Sequence, residues 1–251
     1  MKQAVAVIPA RWASTRFPGK PLHLIAGKPL LRRVWERCRG ATSLDRVIIA
    51  TDDRRIAKAA LSWGAEVALT SRKHRSGTDR AAEVATKLRN AEFIINIQGD
   101  EPLVEPGLID RLVRQLRANR NCRMITAAHP FADPADAKSP HQVKVTLDRH
   151  GHALYFSRSK IPFQCDRAHP PKYFRHQGIY GYRRDFLLQF VRWKPSSLEI
   201  AEQLEQLRAL ENGVTVHVLV TKHGSPGVDT PQDAKALEQK LARAKGKTAA
   251  R

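Results

Sequence analysis

The sequence predicts an α/β fold: a Rossmann-like, mostly parallel sheet carrying a smaller mixed or antiparallel insert. Three observations point there. The runs AVAVI at 4–8, RVIIAT at 46–51 and FIINIQ at 93–98 are short and predominantly apolar, as strands covered on both faces must be. Between them, apolar residues recur at helical spacing, as at Leu30, Leu31, Val34 and Trp35. After about residue 130 this regular order stops. Short alternating or aromatic runs take over, punctuated by Pro162, Pro170 and Pro171.

Taken in order, a strand over 4–8 stops at Pro9, and a Gly/Pro-punctuated loop runs to Lys28. A helix over 29–39 leads to the strand 46–51 and a helix over 53–63, stopped by Gly64. A short strand at 66–69 precedes a helix over 78–88, capped by Ser76 or Thr78. The strand 93–98 ends at Gly99-Asp100-Glu101-Pro102, before a helix over 108–116 and a strand at 124–128. In the insert, 143–147, 153–156 and 178–182 read as strands. A helix over 199–210 ends at Asn212-Gly213, a strand covers 214–220, and Thr230-Pro231 opens the last helix.

The 251 residues fit one large domain, residues 1–251, in which about 130–212 form the insert and 246–251 a flexible basic tail. Three scattered cysteines form neither a disulfide framework nor a metal pair. No stretch of about 18 apolar residues spans a membrane, and the expected setting is cytoplasmic. The net charge of +20 raises the possibility of nucleic-acid binding. The positive residues are spread along the chain, and no basic–aromatic run is present, so a nucleic-acid partner is not expected. A preference for anionic ligands is.

Ligands of open parallel sheets bind at the carboxyl ends of the strands, and three segments fall there. The first, from Pro9 to Lys20, combines small residues with Arg11, Arg16 and Lys20. Small residues let backbone N–H groups approach phosphate, and the cations offset its charge. The segment matches neither GxxxxGK[ST] nor GxGxxG, and a solvated surface loop is the plain alternative. The second, Gln98 to Pro102, sets Asp100 just past a buried strand, where a carboxylate holds a divalent cation or caps a helix. The third, Pro226 to Pro231, offers Asp229 for the same cation or the same capping role.

Together these segments resemble the sugar-activating nucleotidyltransferases, and most closely the 3-deoxy-manno-octulosonate cytidylyltransferase (CMP-Kdo synthetase) family. The family's PARxxSxRxPGKPL opening matches Pro9, Ala10, Arg11, Ser14, Arg16, Pro18, Gly19, Lys20, Pro21 and Leu22. The likeness continues through Gly27-Lys28-Pro29, Ala50 to Asp53, Ser76-Gly77-Thr78-Asp79-Arg80 and Gln98 to Pro102. It includes Ala153 to Arg158, Gly178 to Tyr182, Leu204 to Arg208 and Val228 to Pro231, and so runs from about Val5 to Leu241. Any one motif could be chance, but the ordered set is specific.

The resemblance implies a sheet of the sugar nucleotidyltransferase type, and a cytidylyltransferase that activates 3-deoxy-D-manno-octulosonate (Kdo) with CTP. The products would be pyrophosphate and CMP-Kdo for lipopolysaccharide biosynthesis. It implies Mg²⁺ on Asp100 and Asp229, with Lys20 and Arg11 joining them in catalysis. It places Pro9, Ala10, Arg11, Ser14, Lys20, Ser76, Gly77, Thr78, Arg80 and Gln98 around the nucleotide. Gln98, Arg158, His176, Tyr180, Glu205 and Gln206 would receive the sugar. Taken alone, His176 reads as a hydrogen-bonded structural histidine, Arg158 as a partner for a surface carboxylate, and Glu205 and Gln206 as exposed helix residues. A homodimer joined through the insert is implied too. A related sugar acid, 8-amino-Kdo or a sialic acid, is the alternative substrate, and a basic nucleic-acid-binding protein is the alternative class. Two features depart from the family: His141-Gln142-Val143-Lys144-Val145 stands where Asn-Val-Val-Lys-Val is usual, and the net charge is unusually positive.

Overall fold

A computed structural model describes residues 3–13, 17–166 and 168–249, the last six as backbone alone. β1 (Gln3–Ala10) leads to a 3₁₀ turn at Lys20–Leu22 and a small hairpin of β2 (Leu24–Ile25) and β3 (Lys28–Pro29). This hairpin lies inside the segment expected to be loop. There follow α1 (Leu30–Arg39), β4 (Arg46–Thr51), α2 (Arg54–Ser62), β5 (Glu66–Leu69), α3 (Gly77–Lys87), β6 (Ala91–Asn96), α4 (Pro106–Ala118) and β7 (Met124–Pro130). The insert supplies β8 (Lys144–Leu147), β9 (Ala153–Ser157) and β10 (Phe174–Arg183), followed by α5 (Arg184–Phe190), which the sequence reading did not foresee. The chain closes with α6 (Ser197–Glu202), α7 (Leu207–Glu211), β11 (Val216–Val220) and α8 (Pro231–Ala249). The tail expected to be flexible from residue 246 is thus helical as far as Ala249, and residues 250–251 lie outside the described part.

The nine-stranded sheet has the order β11-β7-β10-β6-β1-β4-β5, with β8 and β9 added alongside β10. β1, β4, β5 and β6 are mutually parallel, as are β7 and β11, and β10 runs antiparallel to both β6 and β7. Every strand of this sheet except β9 and β10 therefore points the same way, and the loops after β1, β6 and β11 open on one edge. The insert is not a separate layer, because its longest strand is wedged into the middle of the main sheet.

One side of the sheet buries Val34, Trp35, Leu112 and Leu116 from α1 and α4; the other buries Ala81, Val84, Phe186 and Phe190 from α3 and α5. A satellite cluster joins Phe17, Ile25, Leu30 and Val228 to Ala234 and Leu237 of α8. Fully burying side chains of this size contributes about 1.5–3 kcal/mol each.

The expected helix over 199–210 is two helices, broken at Gln203, whose backbone is left-handed (φ 54°). At the start of the first, the Ser196 N–H donates to Glu199 Oε2 at 3.2 Å. The break corrects the reading of Glu205 and Gln206 as exposed helix residues. Gln206 is buried, Glu205 is largely so, and both sit in the turn between α6 and α7. No described helix is long and apolar enough to cross a membrane.

Candidate active site

The ends of β1 and β6 and the start of α3 surround a cleft of about 240 Å³. Pro9, Ala10 and Arg11 enter it from β1, Gln98, Gly99 and Asp100 from the loop after β6, and Ser76, Gly77 and Arg80 from α3. Lys20 and Asp229 complete the lining from opposite ends of the chain. The two strand-end loops touch backbone to backbone: a Cβ on Gly99 would lie 2.9 Å from the Pro9 carbonyl oxygen, so only glycine fits.

The Lys20 ammonium donates to Asp100 Oδ2 at 2.6 Å and to Asp229 Oδ1 at 3.3 Å. A backbone bond explains how two carboxylates so distant in sequence converge: the Val228 N–H donates to the Asp100 carbonyl at 2.9 Å. Asp233, in the first turn of α8, accepts from the backbone N–H groups of Asp229 and Thr230 at 3.0 and 2.8 Å and fixes the other loop. Thr230 is the helix cap, as its sequence position suggested, since Asp233 N–H donates to its hydroxyl at 3.2 Å. Carboxylates close enough to share one ammonium are hard oxygen donors within reach of one divalent cation. The described residues include no group of three or more His, Cys, Asp or Glu side chains able to hold a metal. Two protein oxygens, with water and phosphate supplying the rest, is the pattern Mg²⁺ favours. Neighbouring Glu101 is buried, and burial, with the Asp100 charge second, pushes its carboxyl up to about 8.

The start of α3 is built by a capping box between Ser76 and Asp79. Ser76 and Thr78 hydroxyls donate to the two oxygens of Glu205 at 3.0 and 2.5 Å, so the α6–α7 turn docks on the α3 N-terminus. Burial raises the Glu205 carboxyl, against the pull of these hydroxyls and of Arg208. Thr78 is therefore turned toward Glu205 and is not in the cleft lining. Arg80 lines the cleft while donating to Thr70 Oγ1 at 2.5 Å and pairing with Asp52 at 3.4 Å.

His176 sits against Phe156 and Tyr180, with ring centroids 5.0 and 5.4 Å away. Thr126 Oγ1 lies 2.8 Å from the Ile179 carbonyl and 3.1 Å from that of Gln177, which commits its one proton. The hydroxyl oxygen then accepts from His176 Nε2–H at 2.9 Å. Desolvation lowers His176 to about 3 and keeps the ring neutral. A bulge in β10 carries Gly178 across Gln98 and Glu101, which links this region to the cleft.

Among the described residues, no carboxylate pairs with the Arg158 guanidinium. It donates to the backbone carbonyls of Glu202, Pro140 and Gln203 at 2.8, 3.1 and 3.4 Å, and ties β9 to the α6–α7 break. Ser14 lies outside the described residues. His74 and Arg75 line the cleft and were missed, although they directly precede the Ser76 motif and Arg75 extends its positive charge.

A cytidylyltransferase family model matches residues 5–217. The chain is 49% identical over 246 residues to the 3-deoxy-manno-octulosonate cytidylyltransferase of Geobacter sulfurreducens, covering 94% of this chain and 98% of that protein. The enzyme of the same name from Pseudomonas syringae pv. tomato is 49% identical over 246 residues, covering 94% and 96%. The chain belongs to the 3-deoxy-manno-octulosonate cytidylyltransferase family. A solved structure of a CMP:2-keto-3-deoxy-manno-octonic acid synthetase complexed with CTP superposes with a TM-score of 0.92 at 39% identity, covering 96% of this chain and 99% of that one. A 4-diphosphocytidyl-2C-methyl-D-erythritol synthase from Anaerococcus prevotii, at 15% identity and a TM-score of 0.64, shares the fold alone. Within the 3-deoxy-manno-octulosonate cytidylyltransferase family, this chain's altered HQVKV stretch still buries Lys144. Its ammonium donates to the carbonyls of Ser139 and Gln142 at 2.9 and 2.7 Å and to that of Arg158.

Proposed function

We propose that this chain joins CTP to 3-deoxy-manno-octulosonate, releasing pyrophosphate and forming the CMP-linked sugar. One observation carries the reading: Lys20 spans Asp100 and Asp229 in a cleft that Arg11, Arg75 and Arg80 also line. A sugar acid attacking a triphosphate brings anions together, and such a reaction depends on positioning and charge stabilisation. The anomeric hydroxyl attacks the α-phosphorus, its bond forms as the bond to pyrophosphate breaks in line, its proton passes to solvent, and no covalent enzyme intermediate is needed. Arg11 and Lys20 offset the charge of the phosphate tail. Pro9, Ala10, Ser76, Gly77 and Arg80 hold the nucleotide. Held by Asp100 and Asp229, Mg²⁺ would supply charge neutralisation at the phosphates and polarisation of the attacking hydroxyl.

The sugar falls to Gln98, His176, Tyr180, Glu205 and Gln206. The Gln206 Nε2 is buried without a hydrogen-bond partner among the described residues, which supports its donation to a ligand. Arg158 serves this pocket by holding its main-chain wall. The reading includes a homodimer joined through the insert, supported by the sheet-edge strand β9 and by the exposed Leu154, Phe163, Leu198 and Ile200. It includes a cytoplasmic setting, consistent with the demand for CTP.

The test is pyrophosphate release from CTP with a panel of sugar acids, with and without chelator. The expected result is Mg²⁺-dependent release with the highest kcat/KM for 3-deoxy-manno-octulosonate. A higher value for a sialic acid or the 8-amino sugar would overturn the sugar assignment. Silence with every acid would overturn the reaction.

A further inference from the structure

Trp12 and Arg55 stand outside the cleft lining, yet Trp12 packs on the segment that delivers Lys20 and Arg55 packs on Trp12. Gly19 donates its N–H to the Trp12 carbonyl at 3.3 Å. Its backbone is left-handed (φ 71°), and a Cβ there would lie 3.1 Å from the Trp12 ring. Lys20, the next residue, donates its own N–H to the Phe17 carbonyl at 3.2 Å and begins the 3₁₀ turn. Over the Trp12 ring stands Arg55 of α2, its guanidinium carbon 3.6 Å from the ring centroid. Arg55 is itself held in place. Its Nε and Nη2 donate to the two oxygens of Asp53 at 3.0 and 2.7 Å, and Asp53 also caps α2 by accepting the Arg55 N–H at 2.9 Å. That forked pair holds the Asp53 carboxyl down at about 2.

We propose that Arg55 and Trp12 are positioning residues for CTP: the cation–ring contact fixes Trp12 against Gly19 and so sets where the Lys20 ammonium stands. Neither touches the substrate. A ring that shifted would release its packing on the glycine, and the long Lys20 side chain would have to be ordered when CTP arrives. Asp53, from the β4–α2 junction, thereby acts on the cleft through two other side chains. The inference rests on the reading that Lys20 meets the phosphate tail.

The experiment varies CTP and sugar separately in Arg55→Ala, Trp12→Leu, the double variant, Trp12→Phe and Lys20→Ala, with melting temperatures alongside. Arg55→Ala is expected to lower kcat/KM for CTP roughly fivefold, the scale of an exposed cation–π contact, with the sugar KM unchanged. Trp12→Phe, which keeps a ring, should stay near wild type. The double variant should be no worse than the poorer single one, since both break the same contact. A wild-type kcat/KM for CTP in Arg55→Ala would overturn the proposal. So would additive losses, or losses that fall on the sugar KM or simply track melting temperature. If Lys20→Ala impairs CTP use while Arg55→Ala does not, the clamp alone fails; if Lys20→Ala leaves CTP use intact, the reading of the cleft fails with it.

Discussion

Asp100→Asn is expected to reduce kcat for pyrophosphate release by about 10³-fold, the scale on which a single electrostatic stabiliser is lost from an active site. The side chain keeps its size and loses its charge. Among the described residues that charge has one close cationic partner, Lys20, and the Asp100 side chain is 29% exposed. A partly exposed ion pair contributes at most about 1 kcal/mol, so the fold should survive. The backbone bond from Val228 to the Asp100 carbonyl does not depend on the side chain and keeps the two loops joined. A second signature follows from Glu101. Its raised carboxyl binds a proton that the unfolded chain has already released, so native stability falls as pH climbs from the ordinary carboxylate range toward about 8. Removing the Asp100 charge, the second cause after burial, should narrow that window from its upper end. Near-normal turnover with CTP and Mg²⁺ would contradict the assignment of Asp100, whatever the stability curve does.

Lys144→Met should destabilise the protein by about 3 kcal/mol, because three carbonyls lose their donor inside the fold. Lys144 is fully buried, and its three ammonium protons are all used, on Ser139, Gln142 and Arg158. Methionine fills similar volume and offers no donor. Part of the loss is offset, since the buried ammonium no longer has to be desolvated, and that desolvation is the main cause that lowers its pKa. The three carbonyls come from the 139–142 turn and the end of β9, so the damage should centre on the insert. A denaturation midpoint equal to wild type would mean that water re-satisfies the carbonyls and that Lys144 is not the tie described.

The legible parts of the fold were those with local causes. β1, β4 and β6 are buried on both faces, which leaves predominantly apolar runs with little else to explain them. The insertion of β10 between β6 and β7 has no such signature. Its first residues, Phe174 to Gln177, are mixed in polarity, and pairing across long loops leaves no trace in spacing. The break at Gln203 was hidden for another reason. Helical spacing continues on both sides, and a left-handed glutamine carries none of the glycine or asparagine signal that usually marks a stop.

The site divides along the same line. Arg11, Lys20, Ser76, Arg80, Gln98, Asp100 and Asp229 share the cleft because parallel strands deliver their loops to one edge, a rule that the strand pattern already implied. The motifs themselves were weak singly, and only their order made them specific. Thr78 and Arg158 needed coordinates, since side-chain direction decides that one binds Glu205 and the other main-chain carbonyls. His74 and Arg75 stand directly before the Ser76 motif, and nothing in their spacing singled them out.

In the proposed reaction Asp100 and Asp229 act as one cation site beside the nucleotide's phosphates. Mn²⁺, as a paramagnetic substitute for Mg²⁺, measures this directly by electron paramagnetic resonance titration with CTP present. Wild type should bind Mn²⁺ tightly only with CTP, and Asp100→Asn and Asp229→Asn should each weaken that binding. Undiminished Mn²⁺ binding in both variants would contradict it.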